Sequence, residues 1–206
     1  MGRPDGDWAQ GSAMTLLGNG LLEVGHADDS LSVREAALSM LRRTGAPEED
    51  VLRARSNLAN TYQMLGQAER TLRMRRDLYS ECLKLLGEEH LETMIEACNH
   101  ASLLKQLNRF NEIKALLVGT IPVARRVLGE SHDTTLTIRS LYAEALCRDP
   151  GATLDDIREA VATLEEIGPT ARRFLGGAHP ETAMIEQSLR AARATLRARE
   201  TPSRNA

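Results

Sequence analysis

Three histidines, His90, His132 and His179, occupy matching places in the phrases LGEEHLETM, LGESHDTTL and LGGAHPETA. Imidazole is a common metal ligand, so three of them raise the question of a zinc site. The spacing argues against one. His90 and His132 are 42 residues apart, and His132 and His179 are 47 apart, which is the mark of a repeated structural unit. Equivalent residues in stacked repeats are displaced by roughly 10 Å, the width of a helix layer, whereas zinc holds all its ligands within about 2 Å. The three histidines are therefore read as caps in the connectors between repeats. His26 and His100 stand alone and are read as ordinary helix positions.

Other candidates for chemistry are weaker. Cys98 and Cys147 each fall in a helical stretch with no histidine and acid placed to activate a thiol, so a buried or surface-lining thiol is the default. The segment Gly18–Gly20 begins like a dinucleotide loop, but Glu23 stands where a third glycine is needed, and tight helix packing explains Gly18 better. No HExxH, GxSxG or P-loop pattern occurs. Arginine is concentrated in RMRRD (73–77), at Arg125–Arg126 and Arg172–Arg173, and over 190–199. The two middle pairs recur at repeat spacing and form a stripe on second helices that could grip acidic partners or RNA phosphates. Interleaved acids and few aromatics disfavour nucleic acid. These readings imply no catalytic residue, no metal and no cofactor.

The elements that position these residues follow from composition and periodicity. The chain has 206 residues, 42% hydrophobic and 27% charged, with only 3% aromatic and a net charge of −3. This is a globular composition whose core must be built from Leu, Ala, Ile, Val and Met, which favours helices over sheets. Cys82, Cys98 and Cys147 form no metal-binding spacing and are read as reduced thiols of a cytoplasmic protein. No run is long and apolar enough to span a bilayer, and none reads as a signal peptide.

The apolar periodicity predicts helix pairs: about 50–65 with 68–86, 91–107 with 111–128, 133–147 with 154–175, and a last helix over 180–199. An earlier pair lies within 16–43, one residue out of register, since Gly18 and Ala59 are 41 apart. Glycines at Gly45, Gly87, Gly129 and Gly176 are expected to end helices in the left-handed conformation. Thr153 and Asp156 have the spacing of a capping box. Pro122 and Pro169, 47 apart inside second helices, are expected to kink or break them, leaving PVARRVLG and PTARRFLG as two-turn helices. The expected organisation is a frayed segment over 1–11, units at about 12–44, 48–87, 90–129 and 132–176, a cap at 180–199 and a disordered tail over 200–206.

Units of 42 residues, joined by LG-x-x-H-x-x-T and carrying Asn57-Leu58-Ala59 with Tyr62 and Gly66, then Asn99-His100-Ala101 with Asn108-Arg109-Phe110 and Ile113, resemble the tetratricopeptide (TPR) repeats of kinesin light chains. The resemblance covers about 16–196. Two features depart from it: no heptad coiled coil precedes the repeats, and Leu141 stands where Asn57 and Asn99 stand. It implies an all-α, right-handed solenoid of about four helix-turn-helix units with a C-terminal capping helix. It also implies a non-catalytic scaffold binding a peptide or partner helix in a groove lined by first helices, with cargo adaptation as the family-specific version. The alternative is a repeat fragment or regulatory arm of a larger signalling protein or enzyme.

By the resemblance, the groove is lined by Arg53, Ser56, Asn57, Asn60 and Gln63; by Ile95, Cys98, Asn99, Ser102 and Lys105; and by Thr137, Ser140, Glu144 and Arg148. The opening unit adds Thr15, Asn19 and Glu23. Amides suit a peptide backbone of any sequence, and Arg53, Lys105 and Arg148 suit acidic side chains. The implied partner is a protein or peptide, with an acidic one favoured, and no membrane is involved.

Overall fold

The computed structural model describes residues 4–201. The expectations for 1–3 and for 202–206 lie outside the described residues. Among the described residues the secondary structure is entirely helical: α1 (Pro4–Glu23), α2 (Ala27–Thr44), α3 (Glu48–Met64), α4 (Ala68–Leu85), α5 (Leu91–Gln106), α6 (Phe110–Val127), α7 (Asp133–Arg148), α8 (Leu154–Phe174) and α9 (Pro180–Glu200). The bounds follow the apolar periodicity to within a few residues, except that α1 begins at Pro4, well ahead of the start expected near position 12.

The connectors between successive helix pairs end the preceding helix in the same way. Gly45, Gly87, Gly129 and Gly176 have φ of 66°, 87°, 89° and 94°, a backbone conformation that a Cβ penalises and that turns the chain out of the helix. After Gly45 the helix α3 follows Pro47 with no side-chain cap; after the other three glycines the next helix is capped by a histidine. His90, His132 and His179 are extended, and the Nδ1 of each accepts the backbone N–H two residues on, from Glu92, Thr134 and Glu181, at 3.2 Å in every case. Thr153 and Asp156 complete the reciprocal capping box at α8. The Thr153 N–H and then its hydroxyl, both donating to the Asp156 carboxylate at 2.7 Å, hold that carboxyl below the ordinary aspartate range.

The prolines do not break their helices. α6 runs through Pro122 and α8 through Pro169. Each proline removes one N–H, whose partner would be the carbonyl four residues back. Pro122 and Val118, and likewise Pro169 and Glu165, are exposed, so water can serve the released carbonyl and the expected two-turn fragments do not form.

The helices group into two compact units divided between Cys82 and Leu83. In the first, Leu38, Leu58 and Tyr62 form a core with Leu31, Val51, Ala54 and Met74 against it. Gly18 is packed as expected of a close helix contact: a Cβ there would lie 2.9 Å from Arg34 Nε, and Ser30 Oγ donates to its carbonyl at 2.8 Å. The same repeat position holds Ala59, Ala101 and Ala143, all fully buried. In the second unit the core joins Leu136, Ala143 and Leu146 of α7 to Ala160, Leu164 and Ile167 of α8 and to Ile185 and Ala192 of α9.

Candidate peptide groove

In the second unit, first helices α5, α7 and α9 share contacts, α5 with α7 and α7 with α9. Where they meet, a pocket of about 370 Å³ opens, lined by Lys105, Glu144, Cys147, Arg148, Leu164, Met184, Gln187, Ser188, Ala191 and Ala192. One wall is polar and internally satisfied. Lys105 Nζ lies 3.0 Å from Glu144 Oε2, and Ser188 Oγ donates to Glu144 Oε1 at 2.5 Å. Glu144 is only 9% exposed, so these two partners are what make its burial tolerable. The other wall is apolar: Leu164 forms the floor, with Cys147, Met184, Ala191 and Ala192 around it.

Arg148 stands at the rim, exposed. Its guanidinium lies over the Phe110 ring at 5.5 Å, which orients the side chain without neutralising it. Beside the pocket, the Glu181 carboxyl is pushed up by burial, against the pull of a hydrogen bond from Thr137 and of the Lys105 charge. Burial first, then the charges of Glu181, Asp133 and Glu96, push the Cys98 thiol far up, which makes it a poor nucleophile.

The sequence-derived groove residues divide between the units. Lys105, Glu144 and Arg148 meet in the pocket. Ile95 and Ser102 are half-buried, Ser140 and Cys98 are buried, and Asn99 Nδ2 donates to Glu96 Oε1 at 3.1 Å. In the first unit the polar side chains are largely engaged internally. Ser56 Oγ and Asn60 Oδ1 both accept from the buried Arg75, and the backbone carbonyl of Asn57, not its side chain, accepts from Arg34. Arg53 pairs with Glu49 and Asp50 on its own helix, at 2.9 and 3.2 Å, and Gln63 is half-buried. Asn19 of α1 is held by Arg34 at 2.7 Å.

The α9 contribution was not among the expected residues, because that helix reads as a solvated cap. A signal for it exists. Carrying Thr137, Ser140 and Glu144 forward by the 47-residue step gives Met184, Gln187 and Ala191, all of which line the pocket.

Among the described residues no group of histidine, cysteine and acid side chains is arranged to hold a metal, and no helix is long and apolar enough to cross a membrane. The arginine pairs on the second helices of this unit are mostly engaged: Arg125 with Glu130, Arg126 with Glu89, Arg172 with Glu186, and Arg173 over the Phe174 ring.

Helical hairpins repeated at 41 to 47 residues and ended by left-handed glycines define an all-α repeat protein of the TPR-like class. No family model matches the sequence, and no curated protein matches it. Solved structures do. The nearly identical TPR-like repeats assigned to a kinesin light chain of Podosopora anserina match over 92% of this chain and 88% of theirs, with a TM-score of 0.72 at 19% identity. A singly substituted form of the same repeats gives 0.75 at 18% identity over 92% and 87%. BtubC (BKLC) from P. vanneervenii gives 0.61 at 15% identity over 94% and 84%. The structural neighbours are thus kinesin light chain-like TPR proteins, and at these identities the likeness is one of fold.

Proposed function

We propose that the chain is a protein-interaction scaffold that holds an extended peptide on the α5–α7–α9 face, by binding alone and with no chemical step. The observation that carries this reading is the pocket itself. It pairs a rigid polar wall, Lys105–Glu144–Ser188, with an apolar floor and an exposed cation at its rim. Such a site suits a peptide that inserts one apolar side chain, offers its backbone to Gln187 and Ser188, and places an acidic residue near Arg148. Cys82, Cys98 and Cys147 form no disulfide among the described residues, which supports a reducing compartment such as the cytoplasm. The likeness to repeats assigned to a kinesin light chain supports a finer version, in which the bound protein is cargo of a microtubule motor. Co-purification of a motor heavy chain with the full-length protein tests that version.

The peptide reading is tested with peptides selected from a random library against the native protein. Ala191 is exposed at the pocket wall, so Ala191→Trp fills the pocket without removing a buried partner. The selected peptides are expected to lose about tenfold or more in affinity for this variant, and to slow maleimide labelling of the half-buried Cys147. Peptides that bind native and variant protein equally, and leave Cys147 labelling unchanged, place recognition elsewhere and overturn the proposal.

A further inference from the structure

The first unit contains a second pocket, of about 340 Å³, where α2, α3 and α4 converge. Its floor is apolar: Leu38, Leu58 and Tyr62 are at most 7% exposed, with Met74 beside them. Its walls carry four guanidiniums, Arg42, Arg55, Arg70 and Arg73, against one carboxylate, Asp77. Two of the four are already committed. Arg55 forms a two-pronged pair with Glu81, one prong at 3.1 Å, and Arg70 lies 3.8 Å over the Tyr62 ring. Asp77 faces Arg76 at 3.4 Å, and Glu35 accepts the Tyr62 hydroxyl at 2.9 Å. Among the described residues no carboxylate pairs with Arg42 or Arg73, and both are exposed. Seven other exposed arginines, at 53, 109, 125, 126, 158, 172 and 193, have acidic partners, while Arg43, Arg190 and Arg197 form no ion pair among the described residues; Arg42 and Arg73 differ from these in converging on one pocket.

We propose that this pocket docks an acidic segment of a partner protein, at a surface separate from the α5–α7–α9 face. Arg42 and Arg73 supply two uncompensated planar forks, the geometry that binds carboxylates. The apolar floor accepts the stem of the acidic residue or an apolar neighbour. A polypeptide fits better than nucleic acid. The cations converge on one bounded pocket rather than tracking along the surface, Asp77, Glu35 and Glu81 flank them, and the only ring in the pocket is 1% exposed and covered by Arg70. Nucleic-acid sites need a charged track and free aromatic faces.

The test uses the full chain and three labelled probes: a short peptide alternating Glu and Leu, its Gln–Leu counterpart, and oligouridylate. Arg42→Gln/Arg73→Gln removes side chains that no described residue bonds, so the fold is retained, and an unchanged thermal melt checks this. The Glu–Leu peptide is expected to bind the native protein, to weaken about tenfold or more in the double variant, and to weaken with added salt. In an Ala191→Trp background, which blocks the α5–α7–α9 pocket, the Glu–Leu peptide is expected still to bind and still to weaken about tenfold or more when Arg42→Gln/Arg73→Gln is added, which separates this site from the other. Equal binding of the Gln–Leu peptide, or native-like binding by the double variant, overturns the proposal. So does tighter binding of oligouridylate that the double variant abolishes.

Discussion

The Arg75 guanidinium, 1% exposed, donates to the side-chain oxygen of Asn60 on the preceding helix. It also donates to Ser56 Oγ at 3.0 Å. The arrangement has a precedent 41 residues upstream, where Arg34, 5% exposed, donates to Asn19 at 2.7 Å. Downstream the same repeat position is apolar: Leu117 and Leu164 are 0% and 1% exposed. One fold thus fills one position with a bonded cation in two units and with leucine in two others.

That substitution pattern gives a stability prediction. Arg75→Leu alone leaves the half-buried Ser56 and Asn60 against an apolar side chain, at a cost of about 1–3 kcal/mol. The next unit meets its leucine with Cys98 and Ser102, at the positions of Ser56 and Asn60. Ser56→Cys/Asn60→Ser/Arg75→Leu copies that set and is expected to recover at least half of the loss, since residues in one network are not additive. Urea unfolding of the native, single and triple forms measures it. A triple variant as unstable as the single would show that Arg75 is held by something other than these two side chains.

The histidine caps make a second prediction. His90 Nδ1 accepts from the Glu92 N–H at the start of α5, satisfying one of the donors a helix N-terminus leaves open. His90→Ala should cost about 1 kcal/mol, and His90→Asp, whose oxygen can serve the same N–H, should restore most of it. The readout is the urea midpoint at constant slope. Equal midpoints for native protein and His90→Ala would mean that water caps the helix as well as imidazole does.

A third prediction concerns pH. Glu181 is 8% exposed, its Oε1 has no hydrogen-bond partner, and burial raises its carboxyl above the ordinary range. The unfolded chain titrates this group near ~4.3, so between that value and the higher folded one the folded state holds more protons. Stability from this group therefore falls as pH rises through that window, and stays lower above it. Glu181→Gln keeps an acceptor for Thr137 and removes the charge. It should be more stable than the native protein near neutral pH, with the difference shrinking as pH falls toward the ordinary glutamate range. A gain that is the same at every pH would assign the effect to packing.

How much of this was legible in the sequence depends on which property repeats. The caps were legible, because translating His90 by 42 and then 47 residues lands on His132 and His179, and a residue copied with its backbone context keeps its local bond. The α5–α7 half of the pocket was legible through Lys105, Glu144 and Arg148, and the α9 half was hidden by the arginine-rich composition of that helix. The inward turn of Arg75 was not legible. Helical period assigns a residue to a face, and RMRRD reads as a solvated run until the partners Ser56 and Asn60 are seen. For the same reason the groove reading of Ser56 and Asn60 carried no sign of the bonds they accept from Arg75.

The fourth prediction starts from the proline that did not break its helix. Within α6, Pro122 withholds the N–H that the Val118 carbonyl would otherwise accept, and both residues face solvent. Pro122→Ala restores that donor. In a helix interior the exchange is worth about 3 kcal/mol in favour of alanine, but alanine also frees the unfolded chain, which offsets part of the gain. A net stabilisation of about 1–2 kcal/mol is expected, read as a higher urea midpoint with unchanged slope. The sign is the informative part. Were Pro122→Ala destabilising, the proline would be shaping α6 to fit its neighbours α5 and α7, and a local cost would be serving the packing of the whole unit.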